Sequence, residues 1–168
     1  ISNSNPYLNY RLGFTNMTHS GIVPNSDLHR NSLSLAASST LKKKLTISTN
    51  INFTNSYANN RPASNRGANP LEWAYKTPPN ANILDLRDYG SGNVILTPGQ
   101  GFENPYFLAY DVNNSFDRYR IFGNVSVNWQ ITPSWELMAR YSLNKSDQTQ
   151  ESKIAPGGYS KELNNGTY

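Results

Sequence analysis

Apolar and polar side chains alternate with a period of two along several stretches of this sequence. The alternation is clearest in residues 45–57, and it returns in residues 119–131. In the first stretch the odd positions form one row: Leu45, Ile47, Thr49, Ile51, Phe53, Asn55 and Tyr57. Serine, threonine and asparagine occupy the even positions between them. Because successive side chains of a β-strand point to opposite faces, the pattern predicts strands with one apolar and one polar face.

The same pattern predicts an all-β chain of five strands. We place the strands at roughly residues 7–17, 29–41, 45–57, 118–131 and 135–144. Residues 59–117 are rich in asparagine, proline and glycine, and they predict a long loop in which residues 71–76 have room for one helical turn. After Lys145 the alternation fades, and we predict a polar, irregular segment.

The predicted connections alternate between short and long. The turns at 42–44 and 132–134 are short, whereas the connections at 18–28 and 59–117 are longer. This alternation is typical of an antiparallel up-and-down barrel with short turns at one end and long loops at the other.

Two environments suit the apolar faces of these strands: a protein core or a lipid bilayer. Strands of about ten to thirteen residues, tilted near 45°, cover a hydrocarbon layer of about 25 Å, whereas strands of soluble proteins average about five or six residues. Aromatic residues lie in the apolar row near predicted strand ends, as in the girdles of membrane barrels. The pattern favours a transmembrane barrel segment, and a soluble or surface-attached β-sandwich that binds glycans is the alternative.

Composition limits the remaining function classes. The chain has 168 residues, 36% of them hydrophobic, and no cysteine, so disulfides and thiolate sites are excluded. No stretch approaches the roughly 20 apolar residues of a membrane helix. The net charge is +4, but the basic residues are scattered apart from the run Lys42–Lys44 in a predicted turn, and we predict no nucleic-acid interface.

No pattern in the sequence predicts catalysis. The two histidines, His19 and His29, have no cysteine and no carboxylate cluster near them. Residues 111–117 space oxygen ligands as a calcium loop does, but they lack its glycine and its later glutamate. We therefore predict no enzyme activity, no metal site and no cofactor.

Two groups of side chains are candidates for contact with a ligand or a partner. Aromatic residues stand among polar residues of the long loop: Trp73, Tyr75, Tyr89, Phe102, Tyr106 and Phe107. Such a group either stacks on sugar rings and anchors a partner, or packs the loop onto itself. Three arginines, Arg11, Arg120 and Arg140, fall on the polar face, where they either contact a substrate or pair with other parts of the protein.

Several short sequence motifs of the chain resemble the barrel region of the SusC/RagA-type TonB-dependent outer-membrane transporters. The strings that carry the resemblance keep their order along the chain: NYRLGFTNM (9–17), GIVPNSDLHRN (21–31), NPYF (104–107), NNSF (113–116), RYRIFGNV (118–125) and IAPGGY (154–159). Together they cover much of the chain.

The resemblance implies a segment of a barrel of about 22 strands that encloses a plug in the outer membrane of Bacteroidota. Such transporters actively import oligosaccharides, peptides or similar nutrients, with energy delivered through TonB and with a SusD-like surface lipoprotein as partner. The resemblance puts the 59–117 loop outside the cell and the short turns in the periplasm. The resembling strings include neither the plug nor the TonB box of such a transporter, so we expect the chain to be a fragment of one. A passive porin is a further alternative.

Overall fold

The computed structural model describes residues 1–5, 7–64, 68–89 and 103–156. These residues form an all-β chain with one six-stranded antiparallel sheet, in which the strands follow one another in sequence order. The strands are β1 (Ser2–Ser4), β2 (Leu8–Ser20), β3 (Asp27–Leu41), β4 (Leu45–Ala58), β5 (Val112–Thr132) and β6 (Trp135–Ile154). This order is the up-and-down arrangement that the short and long connections predict.

Each predicted strand lies within or overlaps an observed strand, but the predicted bounds are too short. β5 begins at Val112, inside the predicted loop, and β6 continues to Ile154 where an irregular segment was expected. Beyond Lys145 both faces of β6 are polar, so hydrophobic periodicity gives no signal there. Pairing with β5 maintains the strand instead, since Arg118 binds Gln148 across the two strands.

The sequence pattern missed β1 entirely. Its three residues, Ser2–Ser4, are polar, and they pair antiparallel with Asn9–Arg11 of β2. Backbone hydrogen bonding to an existing strand edge requires no hydrophobic alternation, which explains why the pattern is silent there.

The turn between β3 and β4 has an uncommon backbone. Lys42 and Lys43 have positive φ values of 49° and 58°. The Lys44 amide donates to the Leu41 carbonyl at 3.1 Å. Positive φ at both central residues is the mark of the type I′ turn, whose twist matches that of the flanking strands. The short turn thereby sets the register of β3 against β4.

The predicted long loop contains three short helical segments. They are α1 (Pro70–Lys76), a 3-10 helix (Ile83–Arg87) and α2 (Pro105–Tyr110). Both α-helices begin with an asparagine cap followed by proline: Asn69 Oδ1 accepts from the Leu71 amide at 3.0 Å, and Asn104 Oδ1 accepts from the Tyr106 amide at 2.8 Å. Proline at the first helical position loses no hydrogen bond, so Asn-Pro starts helices here rather than merely interrupting the chain.

No helix among the described residues combines the length and the apolar character that crossing a membrane requires.

The described residues divide into two compact units. The sheet unit consists of Ile1–Met17, His29–Ser56 and Asp117–Gln148. The loop unit consists of the described residues of Thr18–Leu28, Tyr57–Phe116 and Thr149–Tyr168.

A buried asparagine joins three segments of the loop unit. Asn60, with 2% of its surface exposed, donates through Nδ2 to the Ala109 carbonyl at 3.0 Å. Its Oδ1 accepts from the Asn114 amide at 3.1 Å, and its own amide donates to Asp27 Oδ1 at 3.4 Å. Because a buried amide side chain is costly unless it is hydrogen-bonded, this set of contacts specifies how the segments meet.

Candidate functional site

The polar face of the sheet unit is held together by side-chain hydrogen bonds between neighbouring strands. Hydroxyl groups meet in pairs between β3 and β4: Ser32 with Thr54 at 3.4 Å, Ser38 with Ser48 at 3.2 Å, and Thr40 with Thr46 at 3.3 Å. Cross-strand pairs of this kind stabilise a sheet and set its register. The polar residues of the alternation therefore form an ordered surface.

An open concavity of about 620 Å³ crosses this polar face. It extends over β1 to β5, and its polar lining includes Asn9, Arg11, Ser38, Ser48, Asn50 and Asn124. Hydroxyl and amide groups both donate and accept hydrogen bonds, and the guanidinium of Arg11 donates only. The concavity can therefore hydrogen-bond a polar ligand, and its one charged contribution favours an anionic group.

One of the three predicted polar-face arginines, Arg120, has neighbours that explain its position. Arg120 donates through Nε to Asn144 Oδ1 at 3.3 Å, and its Cζ lies 5.0 Å from the centre of the Phe122 ring. Phe122 is the single apolar residue in the polar row of residues 118–131, and the cation–π contact provides a partner for it. Arg11 lines the concavity, and Arg140 is an exposed residue of β6.

Sequence reasoning missed two further arginines on the polar face. Arg118 donates through Nε and Nη2 to Gln148 Oε1, at 2.8 and 2.5 Å, and Arg30 donates through Nε to Ser56 Oγ at 3.1 Å. Both occupy even positions of predicted strands, the same positions that carry the polar row. Their even-numbered positions in the predicted strands were the only sequence signal that could have identified them.

Large side chains of the apolar row are exposed on each of the strands β2 to β6. Phe14 of β2 has 70% of its surface exposed, Trp129 of β5 has 47% and Leu137 of β6 has 55%. A sheet of a water-soluble protein buries such a face against a core. Within the described residues, the apolar face of the sheet unit lacks such a cover.

Polar side chains that bind each other interrupt the apolar row at one level of the sheet unit. Asn16 Nδ2 donates to Asn31 Oδ1 at 2.6 Å between β2 and β3, and Asn55 Nδ2 donates to Asp117 Oδ1 at 2.9 Å between β4 and β5. The positions next to these pairs in the apolar row are large and apolar: Phe14, Leu33, Phe53 and Tyr119. Together these residues mark one limit of a continuous apolar band.

Three of the six predicted loop aromatics pack together within the loop unit. Phe107 is buried, and its ring lies 6.0 Å from that of Tyr89 in an edge-to-face arrangement. Trp73 packs against the same cluster, and Lys76 Nζ lies 4.5 Å from the centre of its ring. Burial, followed by the hydrogen bond to the Asp111 carboxylate, raises the pKa of Tyr89 above its ordinary value.

The other predicted loop aromatics have different surroundings. Tyr106 lines an apolar cavity of about 110 Å³ together with Leu71 and Pro105. Tyr75 is 90% exposed, and Phe102 lies outside the described residues. The structure thus brings Trp73, Tyr89 and Phe107 together in a packed cluster and leaves Tyr75 apart from it.

Candidate metal ligands do not cluster in the part of the chain that the structure describes. There, no group of three or more histidine, cysteine, aspartate and glutamate side chains has the geometry to hold a metal ion. The polar face of the sheet unit, with its concavity and arginines, is accordingly the candidate functional site.

Comparisons with known proteins add no identification. No protein-family model matches this chain, and no curated protein matches it. The resemblance to SusC/RagA-type transporters consequently rests on the short strings quoted above.

Proposed function

We propose that this chain forms part of the wall of an outer-membrane β-barrel in a TonB-dependent active importer of oligosaccharides, peptides or similar nutrients. The observation that carries the proposal is the exposed apolar row of the sheet unit, with Phe14, Trp129 and Leu137 among its exposed side chains. In a barrel of this kind the polar row faces the lumen and the apolar row faces lipid. A bilayer would then cover the apolar side chains that water contacts in a soluble sheet.

The height of the apolar band supports a bilayer as its surroundings. On β3 and β4 the band spans residues 33–41 and 45–53. Nine residues of strand rise about 30 Å, and a tilt of roughly 35–45° reduces this to about 21–25 Å, the height of the apolar belt of outer-membrane barrels. The pairs Asn16–Asn31 and Asn55–Asp117 would then lie at a membrane interface.

The proposal requires strands beyond the six described here. Single-chain bacterial barrels have at least about eight strands, and an unpaired sheet edge in lipid costs several kcal/mol for each unsatisfied backbone group. In the proposed barrel, β1 and β6 pair with strands from the rest of the same protein. The rest of the protein also supplies the plug.

The resemblance supports the transporter class and its partners. By that resemblance the protein works with a SusD-like lipoprotein and with TonB, the turns at 42–44 and 132–134 face the periplasm, and the 59–117 loop lies outside the cell. A soluble glycan-binding sandwich and a passive porin remain the competing functions, and each makes a different experimental prediction.

Fluorescence quenching by lipid tests the barrel. We expect brominated phospholipids to quench Trp129 and Trp135, which lie in the apolar row, in full-length protein reconstituted with one of these tryptophans retained. Trp73 of the loop unit is the matched control, and we expect little quenching there. A soluble sandwich would be extracted without detergent and would show no difference among the three tryptophans.

Uptake in the native host tests active import. Removal of TonB should abolish nutrient uptake that depends on this protein while leaving its amount in the outer membrane unchanged. Uptake that continues without TonB would instead favour a porin.

A further inference from the structure

The charges on the polar face of β2 to β6 have mainly one sign. Within the sheet unit this face carries five arginines and one glutamate, assigned by the parity of each strand: Arg11, Arg30, Arg118, Arg120, Arg140 and Glu136. A groove or lumen lined by one sign of charge concentrates ions of the other sign. The face is accordingly suited to an anionic ligand.

The hydrogen-bond partners of these arginines are neutral. Arg118 binds the amide oxygen of Gln148, and Arg120 binds that of Asn144. Arg30 binds the hydroxyl group of Ser56. Among the described residues, no carboxylate forms an ion pair with any of the five arginines, so these contacts orient the guanidinium groups without neutralising them.

The concavity that Arg11 lines provides space for a ligand on this positively charged face. It is open, has a volume of about 620 Å³, and also presents the amides of Asn9 and Asn50 and the hydroxyl groups of Ser38 and Ser48. Hydroxyl and amide groups suit the hydroxyl groups of a sugar, whereas the planar guanidinium fork matches a carboxylate. The two chemistries occur together in a carboxylate-bearing oligosaccharide.

We infer that the polar face of β2 to β6 selects carboxylate-bearing oligosaccharides over neutral ones. The inference rests on the proposed function, since it names a substrate class for the lumen of the importer. Amide and hydroxyl groups hold Arg30, Arg118 and Arg120 in place before a carboxylate arrives, so these three arginines are preorganised to bind one.

The binding of two matched probes tests the inference on the full-length protein in detergent. The probes are tetragalacturonate and its fully methyl-esterified form, which differ in charge and share the sugar backbone. We expect the acid to bind at least about tenfold more tightly than the ester, the effect of about one charge-assisted hydrogen bond. Added salt should weaken binding of the acid more than binding of the ester.

Two triple variants connect the selectivity to the polar face. Arg11→Gln, Arg118→Gln and Arg120→Gln together should remove most of the preference for the acid. The matched control, Lys42→Gln with Lys43→Gln and Lys44→Gln, removes the same charge from the turn and should retain the preference. Detergent extraction of each preparation reports on membrane integration, and hence on the barrel, independently of the probes.

Three outcomes would overturn the inference even if the protein proves to be a barrel. The acid and the ester bind equally, or the turn variant loses the preference as strongly as the arginine variant, or the acid does not bind at all. The last outcome is expected if acidic side chains elsewhere in the protein already cover the arginines.

Discussion

Gly123 of β5 lies directly against the backbone of Asn50 in β4. A Cβ atom on this glycine would stand 2.2 Å from the Asn50 carbonyl oxygen and 2.8 Å from Cα of Ile51. Both atoms belong to the backbone of the neighbouring strand, which a rotamer change cannot move. The close approach of β4 and β5 therefore depends on the missing side chain.

Replacing this glycine should strain the sheet. We expect Gly123→Ala to reduce the free energy of unfolding by about 1–3 kcal/mol, the usual cost of forcing atoms into occupied space. Chemical denaturation of the reconstituted full-length protein measures the change. Gly13→Ala is the control, since its Cβ would meet the rotatable hydroxyl of Ser34 at 2.6 Å, and it should cost less. Equal losses for the two variants would contradict the close-approach argument.

A charge in the middle of the apolar band should be costly if the band faces lipid. Val125 is 40% exposed in the apolar row of β5. We expect Val125→Arg to lower the free energy of unfolding in lipid vesicles by about 2–4 kcal/mol, as for arginine near the middle of a bilayer. The measurement is denaturant unfolding of the full-length protein in vesicles.

Gln130 of β5 provides the matched control for that substitution, because it is an exposed residue in the polar row of the same strand. Gln130→Arg should change stability by less than about 1 kcal/mol, as surface substitutions usually do. If both variants are equally stable, the apolar row faces water or an adaptable protein surface, and the assignment to lipid fails.

The buried amide of Asn60 should be more important than the exposed polar residues around it. Asn60→Ala leaves the Asn114 amide without its partner and removes one of the two side-chain donors to the Ala109 carbonyl. Since each buried polar group left unpaired costs about 1–3 kcal/mol, we expect hydrogen exchange of the loop unit to accelerate about tenfold or more.

Asn25 allows a matched comparison with Asn60. Its Nδ2 donates to the same Ala109 carbonyl at 3.2 Å, but it makes this contact from an exposed position. Asn25→Gly should accelerate exchange only slightly, because water can replace the donor and glycine tolerates the positive φ of 59° at this position. Equal acceleration by the two variants would show that burial of Asn60 does not set the effect.

Tyr89 should make the loop unit sensitive to alkali. Burial and the Asp111 carboxylate raise the pKa of Tyr89, so folding favours its neutral form. The resulting stabilisation is fully present below about pH 10, the pKa of an unfolded tyrosine, and is lost as the pH rises through the higher folded value. The difference in tyrosinate absorbance between the wild type and Tyr89→Phe reports the ionisation of Tyr89. We therefore expect this difference to rise only above pH 10.

Tyr75→Phe controls for the loss of one chromophore, since Tyr75 is 90% exposed. Protease resistance of the loop unit, followed over the same pH range, should fall more steeply in the wild type than in Tyr89→Phe. A difference spectrum that rises below pH 10 would contradict the assigned surroundings of Tyr89.

The strands could be predicted because their signal is local. In residues 45–57 each side chain alternates in polarity, and the pattern places β4 to within one residue of its observed end at Ala58. The short helices were less accessible to this reasoning. The prediction allowed one turn at 71–76, where α1 forms, whereas α2 was missed because Asn104 and Pro105 were interpreted as loop punctuation rather than as a cap and a first helical residue.

The candidate site shows the same division. The alternation placed Arg11, Arg120 and Arg140 on one face, but it could not identify the neutral partners Gln148 and Asn144, which lie on a different strand. For the loop aromatics the sequence left packing and binding equally open, and the structure places Phe107 and Tyr89 in one packed cluster. Contacts between distant residues depend on register, which a local pattern does not contain.

By itself, the sequence determined that the chain forms long two-faced strands joined by alternating short and long connections. Backbone geometry is sufficient for that, because side chains of a strand alternate between faces wherever the strand lies. Only the tertiary structure decided that the apolar face has no protein cover among the described residues: Trp129 is 47% and Leu137 is 55% exposed. Such cover depends on contacts between distant residues, which a local pattern does not contain. The polar face, with its oriented arginines, is the candidate site of this protein.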